Sequence, residues 1–115
     1  MMDIPRIRAR MEASRAFTVD HEGVVIHAVT PSELDVSAAG TKGFDNSSDG
    51  IHYLAVRLTR GLDNASIDGD PIDTYSAALG ALWYQDNMAA AVKVFSEAME
   101  RFNAQKDARA AEKKI

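Results

Sequence analysis

The chain has 115 residues, 46% of them apolar, no cysteine and a formal net charge of −4. That length supplies one hydrophobic core rather than two, and the missing thiols exclude disulfides, thiolate metal sites and cysteine nucleophiles. The charge is divided: residues 1–15 and 106–115 are each basic by two, leaving −8 for 16–105, a body that repels phosphate backbones and argues against nucleic-acid binding.

The expected organisation is a basic N-terminal arm over 1–14, a single globular domain over 15–105 and a charged flexible tail over 106–115. The opening "MMDIPRIRARMEASR" lacks the uninterrupted apolar core of an export signal, and no later stretch reaches membrane-spanning length. A cytoplasmic protein without membrane contact is expected.

In "RAFTVDHEGVVIHAVTPSEL", Phe17 and Val19 alternate with polar neighbours, "DHEG" supplies turn residues, and Val24, Ile26 and Ala28 alternate on the far side. This pattern predicts a β-hairpin, which is marginal alone and must pack on helices or on another chain. The period then changes. Thr30 is placed to cap a helix, Pro31 suits its first turn and Glu33 completes a capping box. The dense Gly, Ser, Asn and Asp of "GTKGFDNSSDG" end that helix near Ala39.

"DNSSDGIHYLAV" opens like a calcium loop, with Asp45, Ser47 and Asp49 at alternate positions and Gly50 at the turn. A calcium loop of that type requires a bidentate carboxylate at its twelfth position, which here is Val56, and the ninth is Tyr53. The stretch instead predicts a loop feeding a helix: Ile51, Leu54, Ala55 and Leu58 recur at i, i+3, i+4 and i+7, Asp49 caps the start and Gly61 stops the end. In "IDGDPIDTY", Asp68 and Gly69 form a turn, Asp70 caps the next helix and Pro71 opens it. Ile72, Tyr75, Leu79, Leu82 and Trp83 make its apolar stripe. After "QDN", Asn87 offers a fresh cap, so 71–104 is one kinked helix or two. Met88, Val92, Phe95, Met99 and Phe102, beside Ala91 and Ala98, then form the longest stripe in the chain. The expected fold is α+β, mostly α: an N-terminal β-hairpin packed on three to four helices, with a long C-terminal amphipathic helix.

Chemistry is sparse. His21, His27 and His52 lack the spacing of a helical metal site. The sequence contains no nucleophile elbow, phosphate-binding loop or dinucleotide fingerprint. No catalytic residue, cofactor or metal is expected, and the protein is read as a binding protein rather than an enzyme. Phe95, Met99 and Phe102 combine thioether and aromatic groups suited to varied apolar partners, although a small domain has a competing need for them in its core. Together with Val24 and Ile26 of the hairpin they are the candidate partner-binding residues, and the hairpin edge and long helix are surfaces through which a homo-oligomer could form.

The order "FTVDHEGVVIHAVTPSEL", a hairpin followed at once by a Thr-Pro-x-Glu helix start, then helical segments and a charged Ala/Lys/Glu tail, resembles the tail assembly chaperones of long-tailed phages over about residues 15–105. The resemblance implies a small, acidic, mostly helical and often oligomeric protein. It would bind the tape-measure protein, keep it soluble and help recruit tail-tube subunits in the host cell cytoplasm, without catalytic residues. The alternatives are a small acidic inhibitor or decoy of a basic host nucleic-acid-binding protein, motivated by the acidic body, and a structural head–tail joining protein.

Overall fold

The structure, a computed structural model, describes residues 2–43 and 47–113. Asp45 and Asn46 of the calcium-like stretch lie outside them. Its fold is α+β and mostly helical. Helix α1 (Ile4–Arg15) runs without a loop into strand β1 (Ala16–His21), which pairs with β2 (Val24–Val29). Helices α2 (Glu33–Thr41) and α3 (Ser47–Leu58) follow, then strand β3 (Thr59–Asp63), a short ribbon of β4 (Ser66–Ile67) and β5 (Asp70–Pro71), and helices α4 (Ala77–Gln85) and α5 (Met88–Lys113).

The predicted hairpin is present, with Val19 opposite Ile26 and Phe17 opposite Ala28. Its turn is Glu22-Gly23, with φ of 50° and 84°. Left-handed backbone at both central residues matches the right-handed twist of the flanking strands, and Gly23 adopts it without steric cost. The expected Asp68-Gly69 turn closes the small β4–β5 ribbon with the same geometry, φ 51° and 84°.

A third strand was not expected. Gly61, read as a helix stop, lies inside β3, which pairs antiparallel with β2 and makes β2 the central strand. Helix α3 ends at Leu58, and Thr59 and Leu62 turn inward into the core. The register passes from His27 opposite Gly61 to Ala28 opposite Thr59, so Arg60 is the extra residue of a bulge. Bulges re-aim a side chain, and Arg60 reaches α1: its Nε and Nη2 donate to Glu12 Oε1 at 3.1 and 3.0 Å.

Residues 1–14 were expected to form a solvated arm, but from Ile4 they are helical. The Asp3 side chain accepts from the Arg6 N–H as N-cap. At the other end, the Thr30 N–H and hydroxyl both donate to the Arg15 carbonyl, at 2.8 and 3.1 Å, tying α1 to the end of β2. Helix α5 likewise continues past Ala104 to Lys113, through most of the expected flexible tail.

That use of Thr30 moves the cap of α2. Ser32, not Thr30, is the N-cap: its Oγ accepts from the Asp35 N–H at 3.2 Å while its own N–H donates to Asp35 Oδ2 at 2.9 Å. The capping box is therefore displaced by two residues. Arg57 of α3 donates to the same carboxylate at 2.7 Å, joining α2 to α3. Burial pushes the Asp35 carboxyl up, but the Ser32 N–H and the Arg57 guanidinium outweigh it and hold the pKa below the ordinary 3.8. A lowered folded-state pKa contributes stability above the unfolded value and loses it as pH falls through the folded one. Asp35→Asn should therefore cost roughly 1–2 kcal/mol at neutral pH, with the gap closing in acid. Urea titrations at a series of pH values measure it; a gap that persists unchanged into acid would contradict the assignment.

Two helices, not one, occupy 77–113. Ser76 caps α4, accepting from the Leu79 N–H, whereas the expected cap and first helical residue, Asp70 and Pro71, belong to β5. The Ile72 N–H donates to the Ala65 carbonyl, which closes the ribbon before the helix begins. Asn87 separates α4 from α5 and accepts from the Ala90 and Ala91 N–H groups through its carbonyl. In the core, α3 packs against α4 and α5, and α5 against β1 and β2. The buried residues of α5 are Ala90, Ala91, Val94, Ala98 and Phe102. Of the predicted stripe Phe102 and the accompanying Ala91 and Ala98 share this line, whereas Val92 is 43% exposed. Alanines at the contact allow close approach of the helix backbone, so the larger side chains fall to its flanks.

Candidate functional site

Helix α1 buries none of its residues. Its Ile4, Ile7 and Met11 recur at i, i+3 and i+7 and therefore share a face. That face, Leu34 of α2 and the end of β2 at Val29 and Thr30 line one groove of about 500 Å³. Among the described residues, six large apolar side chains are exposed, and four of them stand here: Met2 at 78%, Ile4 at 65%, Met11 at 48% and Leu34 at 72%. Exposed apolar groups gathered in one place mark an interaction surface, whereas scattered ones need no explanation.

The groove is held open by the contacts already described. Thr30 fixes the C-terminal end of α1, the Glu12–Arg60 pair ties its middle to the sheet, and the Ser32–Asp35–Arg57 cluster fixes the start of α2. Its lips are charged. Arg8, Glu12, Arg15, Asp35 and Arg60 line it alongside the apolar groups.

The structure disperses the five expected partner-binding residues. Ile26, 0% exposed, and Phe102, 7% exposed, are core residues, so their assignment to partner contact is corrected: on the folded chain no partner reaches them. Val24 is partly buried and packs against the core. Phe95 is partly buried too, lining a small apolar cavity with Ala39, Gly40, Ile51 and Leu54 between α2, α3 and α5. Met99 is partly buried on α5. The groove on α1 was missed because its arginines made the segment read as a solvated arm. Its signal was the spacing of Ile4, Ile7 and Met11.

The described polar groups elsewhere are spread over the fold. A second cleft, of about 550 Å³, lies between α3 and α4. There His52 Nε2 donates to the Ala81 carbonyl at 2.9 Å, which fixes the proton on that nitrogen, and Arg57 is engaged by Asp35 and Tyr53. His27 Nε2 stands 2.6 Å from Asp63 Oδ2 on the exposed face of the sheet. His21 is buried at the end of β1, so the three histidines fall on separate parts of the fold. Among the described residues, no group of three His, Asp or Glu side chains is placed to hold a metal ion, and no helix is long and apolar enough to cross a membrane. Fold and groove together define a small α+β domain with an exposed apolar recess. Comparisons with protein-family models, with curated proteins and with solved structures return no match.

Proposed function

We propose that this protein is a non-enzymatic assembly chaperone that covers apolar helical segments of a client. In the reading implied by the resemblance, the client is the tape-measure protein of a long-tailed phage and the setting is the host cell cytoplasm, with tail-tube subunits recruited later. The observation that carries the proposal is the gathering of Met2, Ile4, Met11 and Leu34 around one groove. A single groove of this size holds only a few client side chains, so each contact is weak. Many copies along one client, or a homo-oligomer, supply the avidity, and weak single contacts let growing tube displace them one at a time. The acidic body keeps the loaded complex soluble through mutual repulsion.

The test is co-expression with the tape-measure protein of the same phage or prophage, scoring soluble client. The intact chain should keep the client soluble, and the pair should co-purify through 0.5 M salt, where the screening length is about 4 Å. Ile4→Glu/Met11→Glu should abolish the effect: losing two apolar contacts of about 1.5 kcal/mol each weakens binding more than roughly 100-fold. Both side chains are exposed, so circular dichroism should show the variant folded. A folded variant that still solubilises the client would sink the groove as the site, and an insoluble client with the intact chain would sink the function.

A further inference from the structure

We infer that the segment taken by the groove is an amphipathic helix whose apolar side chains are flanked by carboxylates, which pair with Arg8 and Arg15. The inference rests on the binding reading above and adds the chemistry of the occupant. It follows from which charges at the lips are already used. Glu12 is engaged by Arg60 at 3.0 Å, and Asp35 by Arg57 at 2.7 Å. Arg8 and Arg15 line the same groove with no ion-pair partner among the described residues. Among the described residues, both acidic groups of the recess are thus neutralised, and the unspent charge is positive.

The spacing sharpens this. Ile4, Arg8, Met11 and Arg15 stand at i, i+4, i+7 and i+11 of α1, so one stripe alternates apolar and cationic groups over about 16 Å. A helix laid against it matches the stripe when apolar and acidic residues alternate at the same three- and four-residue steps. The acidic body, −8 over 16–105, disfavours such a segment on its own surface, which steers it toward the basic α1.

Three features favour a helical peptide over other occupants. Among the described residues, the strands reach the groove only through Val29 of β2, which is central in the sheet, and through Arg60, the bulged residue of β3, and a bulge interrupts the regular edge that an added peptide strand would need. Among the described residues, no aromatic side chain lines the recess, so they offer no stacking platform for single-stranded nucleic acid. The recess is also concave between two helices, with Leu34 on the lip opposite α1, whereas a bilayer presents a flat surface.

The experiment uses the full chain and three fluorescein-labelled helical peptides of about five turns, identical on their leucine face and flanked by Glu, Gln or Lys. Fluorescence anisotropy should rank them Glu over Gln over Lys, with roughly tenfold between the extremes at low salt and little difference at 0.5 M. Arg8→Glu/Arg15→Glu should invert the order, and Arg8→Gln/Arg15→Gln should level it. Equal affinities in the intact chain would overturn the charge rule while leaving the client-binding function standing. An order unchanged in the Arg8→Glu/Arg15→Glu chain would overturn the assignment to these arginines. No binding of any peptide, with the client still solubilised in co-expression, would place the client on another face. Uptake by phosphatidylcholine–phosphatidylserine vesicles that Ile4→Glu/Met11→Glu abolishes would reassign the surface to lipid.

Discussion

Ile26→Ala should lower the unfolding free energy by about 2–5 kcal/mol without touching the proposed client-binding groove. Ile26 is 0% exposed, stands opposite Val19 on one side and Leu62 on the other, and belongs to the same buried cluster as Phe17, Leu58 and Val94. Truncation removes its transfer free energy and leaves a cavity that β2, paired on both sides, is poorly placed to close. Urea unfolding followed by the fluorescence of Trp83, the single tryptophan and itself buried, measures the loss directly. Had Ile26 been a contact residue, the variant would unfold at the same urea concentration and fail only in client binding. A shift below about 1 kcal/mol would therefore contradict the core assignment. Under the same denaturant, Ile4→Ala should change stability by no more than about 0.5 kcal/mol, as expected for an exposed side chain.

The contrast between Ile26 and Ile4 shows where local pattern is informative. The hairpin was legible because alternation and the Glu22-Gly23 turn point to the same structure. Strand β3 was not, because "TRGLD" carries an arginine and a glycine that weaken any strand signal. It forms because β2 offers an unpaired edge more than thirty residues earlier in the chain, and pairing at that range overrides local preference. Caps failed in the same way. Thr30 and Ser32 both satisfy the local rule, and the choice was made by the Arg15 carbonyl, which the fold brings to Thr30. Asp70 and Pro71 look like a helix start until the Ala65 carbonyl holds Ile72 in the ribbon. For α5, periodicity located the helix but favoured large side chains over the alanines that make the contact. The candidate site was the least legible part. Ile4, Ile7 and Met11 have helical spacing, but only the position of Leu34, brought across by α2, turns that short face into a groove.

Raising the pH from 10 to 12 should cost the folded state roughly 2 kcal/mol through one hydroxyl, that of Tyr84. Tyr84 is 0% exposed on α4, its ring set edge-on to Trp83 with centroids 5.2 Å apart. Its Oη lies 2.7 Å from Thr59 Oγ1, which lies 2.6 Å from the Ala55 carbonyl. A carbonyl only accepts, so the Thr59 proton goes to Ala55 and the Tyr84 hydroxyl donates to Thr59. This chain links α4, the start of β3 and α3, and it requires the phenol proton. Burial pushes the Tyr84 pKa up to about 12 from its ordinary 10.0. A raised folded-state pKa means that the stabilisation is complete below the unfolded value and is lost as pH rises through the folded one. Tyr84→Phe removes this dependence. It should be about 1 kcal/mol less stable at neutral pH, having lost one hydrogen bond, and should hold its stability better above pH 10. The two stability curves should therefore cross just below roughly pH 11. Tyr75, also raised by burial, titrates in both chains, and its charge adds to the rise at Tyr84. Parallel curves up to pH 12 would show that the Tyr84 proton is not required by the fold, and the chain from α4 to α3 would then have to be redrawn.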